Sequence, residues 1–167
     1  MSADNETPRV PLYGPQPLLS YLRRALSAPD RIGSRTDPSQ TGRVLIIEDD
    51  LLIASQMESA LAEAGFDIVG IATTGEEALS LADKQPPDLA VVDIRLAGDR
   101  DGVDTALELF RSHGIRCIFA SAYSDEEARR RAKPAAPLGW LQKPYSLTSL
   151  TELVGAAVNE LRGKKRH

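Results

Sequence analysis

A chain of 167 residues with 42% hydrophobic content has room for one well-buried core with an extension beside it. Its formal net charge of -4 argues against a nucleic-acid surface, and no apolar run approaches the ~20 residues that a membrane span needs. The opening "MSADNETPRVPLYG" lacks the apolar centre of a signal peptide, and Cys117, the only cysteine, excludes an internal disulfide; both fit a reducing, cytoplasmic compartment.

Residues 1–42 hold Pro8, Pro11, Pro15, Pro17, Pro29 and Pro38 among Ser, Asp and Arg, a composition that predicts a largely disordered extension. Within it, "PLLSYLRRALSA" places Leu18, Leu22, Ala25 and Leu26 on one stripe behind Pro17, which fits either a short helix near 17–28 or a frayed tail. From Arg43 onward strands and helices alternate. "VLII" is an apolar run of the kind that a strand buried on both faces requires. A helix follows with Ile53, Met57, Ala60, Leu61 and Ala64 on its inner face, ending at Gly65. "FDIVGIAT" reads as the second strand, and Thr74 with Glu77 forms a capping box for a helix carrying Ala78, Leu81 and Ala82 inward. "DLAVVDI" is the third strand, followed by a helix capped by Asp101 that buries Val103, Ala106, Leu107 and Phe110. "IRCIFAS" is the fourth; Ser124 and Glu127 offer a capping box for a weakly apolar helix behind it. "LGWLQKP" is a short fifth strand, and the last helix sets Leu147, Leu150, Val154, Val158 and Leu161 on one stripe before the basic tail "GKKRH". Five such βα units predict an α/β protein with a doubly wound, five-stranded parallel sheet.

The polar residues at the strand ends are the chemical signal. Glu48 and Asp49 end the first strand, Asp93 the third and Ser121 the fourth, while Lys143 follows the fifth. In a parallel sheet these positions share the edge where ligands bind. Asp50 needs only a capping role, but Glu48 and Asp49 repel each other unless a cation sits between them, and hard divalent cations take oxygen ligands of this kind. Three carboxyls, a hydroxyl and an ammonium on one edge exceed what capping requires.

"IEDD", "VVDIRLAG", "FASA" and "LQKPY", in that order and spacing, make residues 43–162 resemble a response regulator receiver domain of bacterial two-component signalling, with 163–167 left as a tail. The resemblance implies a flavodoxin-like (βα)5 fold with strand order 2-1-3-4-5. It implies that Asp93 accepts a phosphoryl group from a sensor histidine kinase or a histidine phosphotransferase, and that Mg²⁺ is held by Glu48, Asp49, Asp93 and the backbone carbonyl of Arg95. Ser121 and Lys143 would contact the phosphoryl oxygens, with the Lys143–Pro144 bond cis. Elementary chemistry agrees: a carboxylate can attack phosphorus, and the transfer needs mainly charge neutralisation and alignment.

In receivers the strand-four hydroxyl and an aromatic residue on strand five form a switch, here Ser121 and Trp140; Trp stands where Tyr or Phe is usual, so Trp140 is either that switch or a residue packed permanently under the fourth helix. Arg95 and Tyr123 occupy the positions that tune hydrolysis; both are large, which implies a long-lived phosphoryl group. No output domain is visible in the sequence, which predicts a phosphate shuttle or sink, or a switch that binds a downstream protein, with neither nucleic acid nor membrane as a direct partner and with a homodimer left open. Arg129, Arg130 and Arg131 are either a partner surface or a solvated face. On this reading the chain catalyses only its own phosphoryl transfer and dephosphorylation and is not otherwise an enzyme. A phosphatase of the haloacid dehalogenase type would need an Asp two residues after Asp93, where Arg95 stands; a pseudo-receiver that only binds proteins would lack the acceptor, a metal acid or the lysine, and none is missing.

Overall fold

The five strands pair in parallel in the order β2-β1-β3-β4-β5, where β1 is Arg43–Ile47, β2 Asp67–Ala72, β3 Leu89–Asp93, β4 Arg116–Ser121 and β5 Gly139–Gln142. The structure is a computed structural model that describes residues 42–122 and 126–165; the stretch near 17–28 read as a short helix or a frayed tail, Tyr123 and the capping residue Ser124 lie outside the described residues. Side chains on the central strands alternate between two buried faces. Leu45, Ile47, Ala90, Val92, Cys117 and Phe119 point to one core, and Val44, Ile46, Leu89, Val91, Ile118 and Ala120 to the other. The strands read as unbroken apolar runs because neither face meets water. Cys117 is fully buried, and desolvation pushes its thiol up to about 12.

Helices α1 (Leu51–Glu63) and α5 (Leu147–Lys165) cover the second of these faces, while α2 (Gly75–Lys84), α3 (Gly102–His113) and α4 (Glu126–Ala132) cover the first. The five helices expected after Arg43 are all present, but in two of them the buried residues depart in part from the expected stripe. In α1 the buried residues are Ala54, Met57 and Leu61, while Ala64 is the exposed C-cap. In α3 Leu109 is fully buried where Leu107 and Phe110 were expected, and those two are only half-buried. The cause is local: a stripe drawn from the sequence takes every apolar residue in range, whereas the axis fixed by the caps and the neighbouring sheet decides which of them turn inward. Leu147 is 41% exposed although it begins the expected stripe of α5. That helix also runs three residues past the expected boundary at 162, and the Lys164 ammonium lies 2.9 Å from Glu160 within its last turns. No helix among the described residues is long and apolar enough to cross a membrane.

Caps set where the helices begin at the functional edge. The Asp50 carboxylate accepts from the N–H groups of Leu52 and Ile53 and so starts α1 immediately after the acids. Thr74 caps α2, and Asp101 accepts from the Asp104 N–H at the head of α3. Gly114 closes α3 with φ 68, a left-handed conformation that suits glycine.

Candidate functional site

β1, β3 and β4 are in register, so their carboxyl ends bring Glu48, Asp93 and Ser121 to one edge, and the Lys143 N–H donates to the Ser121 carbonyl at 2.7 Å just beyond β5. Glu48 is 2% exposed and Asp93 8%, whereas Asp49 is exposed. The Glu48 N–H bonds the Ala72 carbonyl at 3.0 Å, carrying the β1 ladder one residue past the strand and fixing the side chain over the sheet edge. Its Oε1 accepts the Asp50 N–H at 3.1 Å, and an Asp93 oxygen accepts the Arg95 N–H at 3.2 Å.

Carboxylate oxygens of Glu48, Asp49 and Asp93 lie within 4.8 Å of one another. Lys143 Nζ sits 3.0 Å from Asp93 Oδ2 and 3.7 Å from Glu48 Oε2, so one ammonium pairs with two of the three carboxyls of the cluster. The imbalance is visible in the protonation of the site. Burial pushes the Glu48 carboxyl above its ordinary value, with the nearby Asp93 charge acting the same way, and neither the Asp50 N–H nor Lys143 offsets them. Burial works against the Lys143 charge, but the hydrogen bond and attraction to Asp93, with Glu48 beyond it, outweigh that cost and raise the lysine above its ordinary value. A compact, mostly oxygen-donor site with surplus negative charge fits a hard divalent cation such as Mg²⁺. The Lys143–Pro144 peptide is cis, as expected.

The remaining expected residues fall in two places. Trp140 lies on the other side of β5 from Leu141, its ring stacked on Phe119 with centroids 4.7 Å apart at 22°, and the Arg129 guanidinium sits 4.5 Å from its centroid. The three arginines of α4 do not form one patch. Arg129 covers Trp140, Arg130 pairs with Glu127 one turn away, and Arg131 forks onto Asp101 and also reaches Asp104. Successive helical positions point about 100° apart, so three adjacent arginines face three directions. The Asp101–Arg131 pair was not legible in the sequence, because the two residues are 30 positions apart and each had a sufficient local explanation. Also unremarked was the exposure of Leu51 and Leu52, 67% and 70%, directly beside the acids.

Comparison with known proteins agrees with this geometry. Residues 44–155 match the response regulator receiver domain family. The transcriptional regulatory protein PdtaR of Mycobacterium tuberculosis is 35% identical over 126 residues, 75% of this chain and 61% of that protein. The phyllosphere-induced regulator PhyR of Methylorubrum extorquens is 28% identical over 131 residues, 77% of this chain and 48% of that protein. The crystal structure of the signal receiver domain of a modulated diguanylate cyclase from Desulfovibrio desulfuricans G20 superposes with a TM-score of 0.68 at 35% identity, covering 74% of this chain and 98% of that one. A doubly wound sheet with an acidic cluster and a lysine at its carboxyl edge defines a receiver-type signalling module. The chain belongs to the response regulator receiver family of two-component signal transduction. It spans about half to three fifths of the length of the two relatives.

Proposed function

We propose that this chain accepts a phosphoryl group on Asp93 from a phosphohistidine of a sensor kinase or phosphotransferase, in a reaction that requires Mg²⁺, and that the phosphorylated form changes which downstream protein it binds or passes the group on. The observation that carries this reading is the Lys143 ammonium 3.0 Å from Asp93, in a site where Glu48 and Asp49 also converge. An Asp93 oxygen attacks phosphorus as the bond from phosphorus to the imidazole nitrogen breaks, and the imidazole leaves with the electron pair of that bond. Lys143 neutralises charge on the phosphoryl oxygens, and the Ser121 hydroxyl donates to one of them once the group is in place. When bound by Glu48, Asp49, Asp93 and the Arg95 carbonyl, Mg²⁺ supplies the positive charge that lets an anionic donor approach three carboxyls. Leu51 and Leu52 give a protein donor apolar contact beside the acceptor.

On this reading the chain catalyses only its own phosphorylation and dephosphorylation, in the cytoplasm, where a buried lone thiol such as Cys117 stays reduced. Its two relatives are named as regulators, which supports a regulatory output without specifying one. Incubation with acetyl phosphate and Mg²⁺, read by intact mass, tests the assignment. A single added phosphoryl group is expected, absent in Asp93→Asn and in the presence of a chelator. Labelling that survives either change overturns it.

A further inference from the structure

The connection between the acceptor and α4 runs through a short set of named contacts. The Gly102 N–H donates to the Ile94 carbonyl at 2.9 Å, and a Cβ on Gly102 would overlap the Asp93 carbonyl oxygen. The first turn of α3 therefore rests on the main chain of the acceptor itself, and a displacement of one displaces the other. One residue earlier, Asp101 caps that turn, accepting the Asp104 N–H at 2.8 Å. The same carboxylate takes a two-pronged contact from Arg131 on α4, Nη1 to Oδ2 at 2.7 Å and Nη2 to Oδ1 at 3.1 Å, while Nη2 also reaches Asp104 at 2.8 Å. Burial pushes the Asp101 carboxyl up, yet the Arg131 hydrogen bonds and the Asp104 N–H outweigh it and hold the group below its ordinary value.

Besides this fork, α4 is held by the Arg129 guanidinium over the Trp140 ring and by a small buried face. Of its seven residues only Ala128 and Ala132 are buried, and methyl groups give small, non-directional attraction. A fork between guanidinium and carboxylate is directional, because both N–H···O contacts require the two planes to be aligned, and a displaced cap loses them together.

We propose that Arg131 is a positioning residue that couples the acceptor to α4: its fork on Asp101 and Asp104 holds α4 in the arrangement of the unphosphorylated chain, and phosphorylation of Asp93 releases it. This rests on the reading of Asp93 as the acceptor. A phosphoryl group on Asp93 draws Lys143 and Ser121 to its own oxygens and shifts the main chain on which Gly102 rests, so the Asp101 cap moves and the fork opens. A contact made in only one of two states opposes the transition by its own free energy, so removing it must favour the phosphorylated arrangement. A merely structural residue behaves oppositely, since its loss weakens every activity of the folded chain.

The test compares the parent with Arg131→Met, which keeps the apolar stem, Arg131→Lys, which keeps the charge without the fork, and Asp104→Asn, which takes the charge out of one contact and leaves the cap. Two quantities are measured in each: the rate of labelling by acetyl phosphate, by intact mass, and the Kd for beryllofluoride with Mg²⁺, from Trp140 emission. Arg131→Met is expected to bind beryllofluoride roughly five-fold more tightly, equivalent to about 1 kcal/mol, and to label faster. The other two variants should fall between it and the parent; they carry the test if Arg131→Met does not fold. An unchanged or weaker Kd, or an unchanged or slower rate, beside a parent that is labelled on Asp93 overturns the coupling alone. Absence of labelling in the parent overturns the receiver reading and the coupling with it.

Discussion

Helix α3 buries Gly102, Val103, Thr105, Ala106 and Leu109 and is closed by a carboxylate at one end and a left-handed glycine at the other, whereas its neighbour α4 buries two alanines and reaches the rest of the molecule through arginines. The first is held by burial, which is strong, tolerant of small shifts and indifferent to salt. The second is held by charge pairs about one third exposed, which are weak and directional and respond to ions and pH. Two helices of one layer are thus held by different forces.

Substitutions can break this contrast in descending order of effect. Leu109→Ala removes a fully buried side chain of α3 and is expected to cost about 3 kcal/mol, read as a lowered urea midpoint at unchanged slope. Gly102→Ala drives a methyl group into the Asp93 carbonyl, where backbone on both sides leaves nothing flexible to give way; a loss of about 2 kcal/mol is expected, together with slower labelling by acetyl phosphate. Arg131→Met should cost the folded chain less than about 1 kcal/mol in urea, and the difference from the parent should fade at high salt, while that of Leu109→Ala persists.

The smallest effect concerns pH. Asp101 is held below its ordinary value of 3.8 in the folded chain, so its contribution is fully present above the unfolded value and disappears as pH falls through the depressed folded one. Asp101→Asn, which can still cap α3, should therefore be less stable than the parent at neutral pH, with the two converging in acid. A constant difference across that range would mean that charge does not hold α4 to α3.

The sheet and its acidic edge were legible for one physical reason. A strand buried on both faces must be apolar throughout, so "VLII" and "LAVV" stand out, and the polar residue that ends each run marks the edge where water begins. Glu48, Asp93, Ser121 and Lys143 converge as their strand ends predicted. Helix phase was less legible, because alanine and leucine occur on more than one side of α1 and α3, and the caps and the neighbouring sheet decide which side turns inward. Partners distant in sequence were not legible at all. Arg131 looked like one of three equivalent charges until its position against Asp101 separated it from Arg130, which only bridges its own helix. Trp140 could be placed on β5 from pattern alone, but neither Phe119 nor Arg129 beside its ring has a sequence signature.

Cys117 gives the molecule a built-in clock. Its sulfur lies at 0% exposure in the middle strand of the β3-β4-β5 half of the sheet, and its depressed acidity leaves almost no thiolate at neutral pH. An alkylating reagent can reach it only when that part of the sheet opens, so the rate of its modification counts opening events one molecule at a time. Because it is the sole cysteine of the chain, the signal needs no engineered background. Comparing that rate with and without beryllofluoride would show whether signalling at the edge loosens the centre of the sheet or leaves it closed.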